Sequence, residues 1–208
     1  VVSIGEKKSE ISKVKKLSKI KLNTPESWIK NFKWPSMIDH KYKRGHILVK
    51  SGPLTSTGAS RLAAVTALRS GAGAVTLASE INALAVNASH LTSVMLKEIN
   101  NTEEFFNFVK EKKIKTLIIG PGSGVNQMIK ELVIRAIREE IEFVLDADGL
   151  TSFKKNPNEL FDLLRKRRKR NNVILTPHEG EFNRLFKFGN MNKIDKANKA
   201  ADITNSTI

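Results

Sequence analysis

Thr176 to Phe182 reads Thr-Pro-His-Glu-Gly-Glu-Phe and follows the apolar run Val173-Ile174-Leu175. His178 is followed at once by Glu179 and, two residues later, by Glu181. A histidine beside carboxylates holds its proton more tightly. The same acids can instead cap a helix start, or reach a metal-bound phosphate through water. Three other short stretches carry comparable chemistry. Gly120-Pro121-Gly122-Ser123-Gly124 follows Thr116-Leu117-Ile118-Ile119 and can hold an anion on free backbone N–H groups, or be a tight turn. It lacks the Lys-Ser/Thr of a Walker A loop and is not a dinucleotide fingerprint. Asp146 and Asp148 follow Phe143-Val144-Leu145; carboxylates so placed bind a hard cation or cap the next helix. Asp148 is read as the cap and Asp146 as the functional acid. Ser51-Gly52 and Thr55-Ser56-Thr57-Gly58 follow His46 to Lys50.

Each stretch ends a short, continuously apolar run, and helical patterns separate the runs. Ala59 to Ser70 is helical with Leu62, Val65 and Leu68 at three- and four-residue spacings, and Gly71 and Gly73 close it. Ala74 to Ala78 and Ser93 to Leu96 are strands; Asn82 to His90, Glu103 to Lys112, Asn126 to Glu139 and Asn158 to Arg168 are helical. A helix starts near Glu181, and Lys193 to Ala201 has a helical but poorly apolar pattern. Such alternation predicts an α/β protein with a doubly wound, mostly parallel sheet covered on both faces. In open parallel sheets ligands bind beyond the carboxyl ends of the strands. All four polar stretches fall on that one edge, and this coincidence is the argument for a site.

The 208 residues suffice for one domain with a sizeable core. There is no cysteine, which removes disulfides, thiolate metal sites and a thiol nucleophile and is compatible with a reducing compartment. No apolar run reaches the ~20 residues that span a bilayer, and no signal-peptide core is evident; a cytoplasmic protein is expected. The formal net charge of +15 raises nucleic-acid binding. The cations are mostly dispersed, and the block Arg165 to Arg170 ends a helical pattern, where the helix dipole favours positive charge. Aromatics are only 6% of the chain, so a solvated helix end is preferred to a binding patch. Residues 1–40 are Lys-rich and weakly periodic, with Trp28 and Trp34 as the large anchors of an arm or linker; residues 41–208 form the globular part.

The stretches TGASRLAAVTALRSGAGAVTLAS, IGPGSG, VLDADGLTSF and ILTPHEGEFNRLF, in this order and spacing, resemble the ADP-dependent NAD(P)H-hydrate dehydratase family of the ribokinase-like superfamily. The resemblance runs from about Pro25 to Phe186. It implies a three-layer α/β/α sandwich and a repair reaction in which hydrated NADH or NADPH is dehydrated at the expense of ADP or ATP, with Mg²⁺. By position it implies substrate contact for Ala59, Gly122 and His178, and a phosphate and metal region near Gly120, Gly124, Asp146, Glu179 and Glu181. VVSIG resembles the end of the epimerase domain that precedes the dehydratase in bifunctional members.

The family's Gly-[Ser/Thr]-Gly-Asp, which forms the anion hole and supplies the base, does not occur among the 208 residues. The catalytic Asp is therefore expected beyond Ile208, with the sheet incomplete on that side. Little or no turnover is expected from this chain alone, and a second copy or complementing fragment joins the small-molecule substrate among expected partners. Two other readings stay open: a different ribokinase-like small-molecule kinase, and a non-enzymatic basic remnant that binds nucleotide or nucleic acid.

Overall fold

The computed structural model describes residues 20–32, 34–168 and 172–208. The chain divides into two units, residues 1–37 and 38–208. The VVSIG stretch, and Lys169 and Arg170 of the basic block, lie outside the described residues. In the first unit, helix α1 (Pro25–Trp28) has proline in its first turn, where a missing N–H costs nothing. Phe32 takes Trp28 at 6.1 Å and Trp34 at 4.8 Å between ring centroids, so the two tryptophans share one aromatic neighbour.

The second unit alternates strand and helix: β1 (His46–Lys50), α2 (Gly58–Arg69), β2 (Ala74–Ser79), α3 (Ile81–His90), β3 (Met95–Glu98), α4 (Thr102–Glu111), β4 (Thr116–Ile119), α5 (Gln127–Arg138), β5 (Glu142–Leu145), α6 (Ala147–Thr151), α7 (Pro157–Arg165), β6 (Val173–Leu175), α8 (Glu179–Leu185) and α9 (Lys193–Thr204). The strands form one six-stranded sheet in the order β3-β2-β1-β4-β5-β6. Every pairing between them is parallel. Thr207 adds a parallel bridge to Ile174 on the β6 side.

Neighbouring strand residues point to opposite faces. Leu48 joins a large core with Phe105, Phe106, Leu132, Leu145 and Leu160, while Val49 joins a smaller one with Ala64, Val75, Leu77 and Val94. Both faces of β1 are therefore covered, which is why its sequence is apolar without alternation. Helices α4 and α5 start at Asn101 and Asn126, whose side chains accept the N–H of Glu104 and Ile129.

Helix α2 meets its expected face in part. Val65 and Leu68 pack against the smaller core, whereas Leu62 is 72% exposed, and Ser60 and Ala64 are the buried residues. Small side chains let this helix lie close to the strands.

The basic block also resolves into unlike parts. Arg165 pairs with Asp162 in the open. Arg167 is buried over the Phe143 ring and gives its guanidinium to the carbonyls of Ala136, Ile137 and Ile141. Ala136 and Ile137 lie in the last turn of α5, where their carbonyls also accept the N–H of Ile141 and Glu140, so this arginine adds a second, charged donor at the helix end and ties it to Ile141 beyond it. Burial pushes its pKa down from the ordinary arginine value.

Candidate functional site

The strand order reverses direction between β1 and β4: β2 and β3 lie on one side of β1, and β4, β5 and β6 on the other. At such a switch point the two strand-end loops diverge and leave a crevice. Here the loops after β1 and β4 meet at their edge. Ser56 Oγ donates to the Gly122 carbonyl at 2.8 Å. A Cβ on Gly52 would lie 2.0 Å from that same oxygen, which excludes any side chain there. Gly122 itself has φ of 65°, and an added Cβ would meet the Ser56 carbonyl at 2.5 Å. Glycine is thus required at Gly122 by both backbone conformation and space. The same Cβ would lie 3.5 Å from the Ala59 methyl, so Ala59, at the start of α2, and Gly122 are neighbours.

A chain of hydrogen bonds continues across the edge. Gly124 N–H donates to Asp148 Oδ2 at 2.9 Å. Gly120 packs on the Asp146 carbonyl, where a Cβ would intrude to 1.8 Å. Thr176 Oγ1 donates to Asp146 Oδ1 at 2.9 Å, and Thr176 N–H to the Leu145 carbonyl at 3.1 Å. The loops after β1, β4, β5 and β6 therefore form one stitched rim. The expectation that Asp148 caps the next helix is corrected. Asp146 holds the N-cap position of α6, without a side-chain cap bond, and Asp148 restrains the glycine loop instead. The cause is reach: Asp148 is two residues past the N-cap, within the first turn, and its carboxylate meets the Gly124 N–H.

His178 is the N-cap of α8. Its Nδ1 accepts the Gly180 N–H at 3.0 Å, and its backbone N–H donates to Glu181 Oε2 at 3.0 Å. Its Nε2 lies 3.1 Å from Glu181 Oε1. With Nδ1 accepting, the proton of the neutral ring sits on Nε2 and points to Glu181. Glu181 is buried at 7% exposure and committed to this box, whereas the His178 side chain is 66% exposed. Glu179 is exposed and faces Lys193 Nζ at 3.4 Å. A cavity of about 290 Å³ beside it is lined by Pro177, Glu179, Phe182, Lys193 and Lys196 among others. No group of three or more histidine, aspartate or glutamate side chains able to hold a metal occurs among the described residues.

The stretches that hold Ser56 and Thr176 stand out in the sequence, but their partners, the Gly122 carbonyl and Asp146, do not, because both bonds join distant parts of the chain. Lys50 carries one local signal, a lysine that closes an apolar strand; its burial at 2% exposure is decided by the fold.

The model of one protein family, the NAD(P)H-hydrate dehydratases, matches residues 47–208. A bifunctional NAD(P)H-hydrate repair enzyme from Coxiella burnetii is 31% identical over 146 residues, covering 70% of this chain and 28% of that one. An ADP-dependent (S)-NAD(P)H-hydrate dehydratase from Streptococcus thermophilus is 31% identical over 150 residues, 70% of this chain and 50% of that one. The fold is similar to an ADP/ATP-dependent NAD(P)H-hydrate dehydratase from Bacillus subtilis, crystallised with ATP and Mg²⁺. The TM-score is 0.68 at 22% identity, over 88% of this chain and 63% of that one. The chain thus spans half or less of the length of these two sequence relatives. Among the described residues, no helix is long and apolar enough to cross a membrane.

Proposed function

The chain belongs to the NAD(P)H-hydrate dehydratase family, and on that premise we propose that it forms the substrate-facing part of an enzyme that dehydrates hydrated NADH or NADPH using ADP or ATP. In this reading the nucleotide's terminal phosphoryl group passes to the hydroxyl on the hydrated nicotinamide ring, and the hydroxyl proton is released. The C–O bond then breaks, phosphate leaves with its electron pair, and loss of a neighbouring ring proton restores the double bond. Positioning and charge stabilisation are the protein's main tasks in such a transfer.

Ala59 and Gly122 form the wall against the hydrated ring, with His178 on the far side of the rim. The adjacency of Ala59 and Gly122, with a Gly122 Cβ position 3.5 Å from the Ala59 methyl, carries this reading. Gly120 and Gly124 shape a backbone loop suited to the phosphate side. Asp146, oriented by Thr176, and the exposed Glu179 are the acids free to face that side. Glu181 acts through His178, fixing its ring. Among the described residues no group of three or more histidine, aspartate or glutamate side chains is placed to hold a metal by itself. Mg²⁺ would enter with the nucleotide, since it is held by phosphates with one or two carboxylates.

The 208 residues contain no Gly-[Ser/Thr]-Gly-Asp, so the base is supplied from outside them and the chain acting alone turns over little hydrate. The cysteine-free composition fits a cytoplasmic location. The test supplies the chain with hydrated NADH, Mg²⁺ and ADP or ATP and follows recovery of NADH absorbance, with calorimetry for binding. Saturable hydrate binding with little turnover is expected. Full turnover overturns the proposed dependence on an outside base; no binding of hydrate or nucleotide overturns the functional reading.

A further inference from the structure

The carboxyl end of β1 holds a buried polar cluster that the reading above does not use. Lys50 is 2% exposed, Ser51 and Asn87 0%. Every polar atom of Ser51 is held. Its N–H donates to the Ala78 carbonyl of β2 at 2.8 Å. Its carbonyl accepts from Lys50 Nζ at 2.9 Å. Its Oγ accepts from Asn87 Nδ2 at 3.0 Å and donates to the Gly52 carbonyl at 3.0 Å. The second Asn87 amide hydrogen reaches Ser79 Oγ at 3.0 Å, tying the end of β1 to the end of β2.

The two grips come from opposite sides of the sheet. Lys50 shares a face with Leu48 by strand alternation, in the layer that holds Phe105 and Ile119. Asn87 approaches from α3, over the layer that holds Val49 and Val94. Burying an ammonium is costly unless it is paired. Lys50 has the Ser51 carbonyl and, at 3.7 Å, Glu80 Oε1. Burial pushes its pKa down, and Glu80 opposes that. A charge placed at this cost on one peptide group points to a role in fixing that group. The peptide in question leads to Gly52, whose contact with Gly122 has no slack.

We propose that Lys50 and Asn87 are positioning residues that clamp Ser51 from the two faces of the sheet, and so set Gly52 against the Gly122 wall of the substrate site. The link to substrate rests on the reading of Gly122 and Ala59 given above; the clamp does not.

The variant Lys50→Met keeps length and volume and removes the charge. Removing one partner leaves the buried Ser51 carbonyl without its side-chain donor, so some loss of stability is expected whether or not Lys50 positions the loop. A purely structural lysine would show nothing else. The clamp predicts that, in amide NMR of the isotope-labelled full chain, the Gly52 and Gly122 resonances move while Gly180, in α8, stays. It also predicts that affinity for hydrated NADH falls about tenfold or more, since a charged hydrogen bond is lost. Unmoved Gly52 and Gly122 amides overturn the clamp. Moved amides with unchanged hydrate affinity overturn its link to the site. If wild-type chain binds no hydrate, the functional reading fails, and the amide shifts still decide the clamp. Should Lys50→Met not fold, Asn87→Leu removes the other grip and leaves the Ser51 hydroxyl its bond to the Gly52 carbonyl; it is expected to move the Gly52 amide, and a still Gly52 overturns the proposal.

Discussion

Asp148 and Gly124 are 24 residues apart and joined by one hydrogen bond, from the Gly124 N–H to Asp148 Oδ2 at 2.9 Å. That bond ties the glycine loop after β4 to the first turn of α6. It turns a flexible Gly-Pro-Gly-Ser-Gly stretch into one wall of the rim. Replacing Asp148 with alanine is expected to cost about 1–3 kcal/mol, because a part-buried N–H loses a charged acceptor. Urea unfolding measures the loss, and faster exchange of the Gly124 amide locates it. An unchanged Gly124 amide would show that the loop is held by other means.

Gly122 tolerates no side chain. Gly122→Ala combines a positive φ with a Cβ 2.5 Å from the Ser56 carbonyl, so the loops after β1 and β4 must part. Destabilisation of at least ~1–2 kcal/mol is expected, together with loss of hydrate binding. Gly124→Ala, whose Cβ meets only Asn126 Nδ2 in ordinary contact at 3.8 Å, carries only the φ penalty and serves as the control for strain. Equal effects of the two on hydrate binding would remove Gly122 from the site.

Glu181→Ala leaves the His178 N–H and ring without their acceptor. A loss of about 1 kcal/mol is expected from the broken cap, and the ring is freed to turn. Glu179→Ala, exposed and paired only loosely with Lys193, is expected to change stability by less than about 0.5 kcal/mol. Thermal melting of the two variants separates the roles of the neighbouring acids.

Arg167→Met is expected to cost about 1–3 kcal/mol, since the Ile141 carbonyl loses its charged donor and those of Ala136 and Ile137 keep only their backbone partners. Arg165→Met, an exposed partner of Asp162, is expected to cost near zero. If the two behave alike, the basic block is a surface feature after all.

His46 gives the fold a pH dependence. It is buried at the amino end of β1, with Nε2 2.8 Å from Thr76 Oγ1. Burial, then Lys112 and Lys41, hold its pKa below the ordinary 6.5. The unfolded chain therefore binds this proton first as pH falls. Stability is full above 6.5, declines below it, and levels off once the folded state also takes the proton. His46→Gln is expected to remove this part of the decline in urea midpoints measured across that range. A decline of the same size in the variant would assign it elsewhere.

The sequence by itself determined the alternation of strands and helices, and with it the edge on which chemistry gathers. Apolar runs such as Ile47 to Val49 or Leu117 to Ile119 have only one home, inside a sheet covered on both faces. The order of TGA, GPGSG, DADG and TPHEGEF was enough to indicate the family and the three-layer fold. The tertiary structure decided which of those residues touch. Strand order is a long-range property: β4 lies beside β1, and only that pairing brings Gly122 to Ala59 and Ser56. It likewise decided that Asp148 holds a loop where local reading made it a cap. It took Glu181 out of the open and fixed it to His178. It buried Lys50 and Arg167, which by composition are two among 36 cations. A side chain's partner depends on distances across the chain, and local pattern holds none of these.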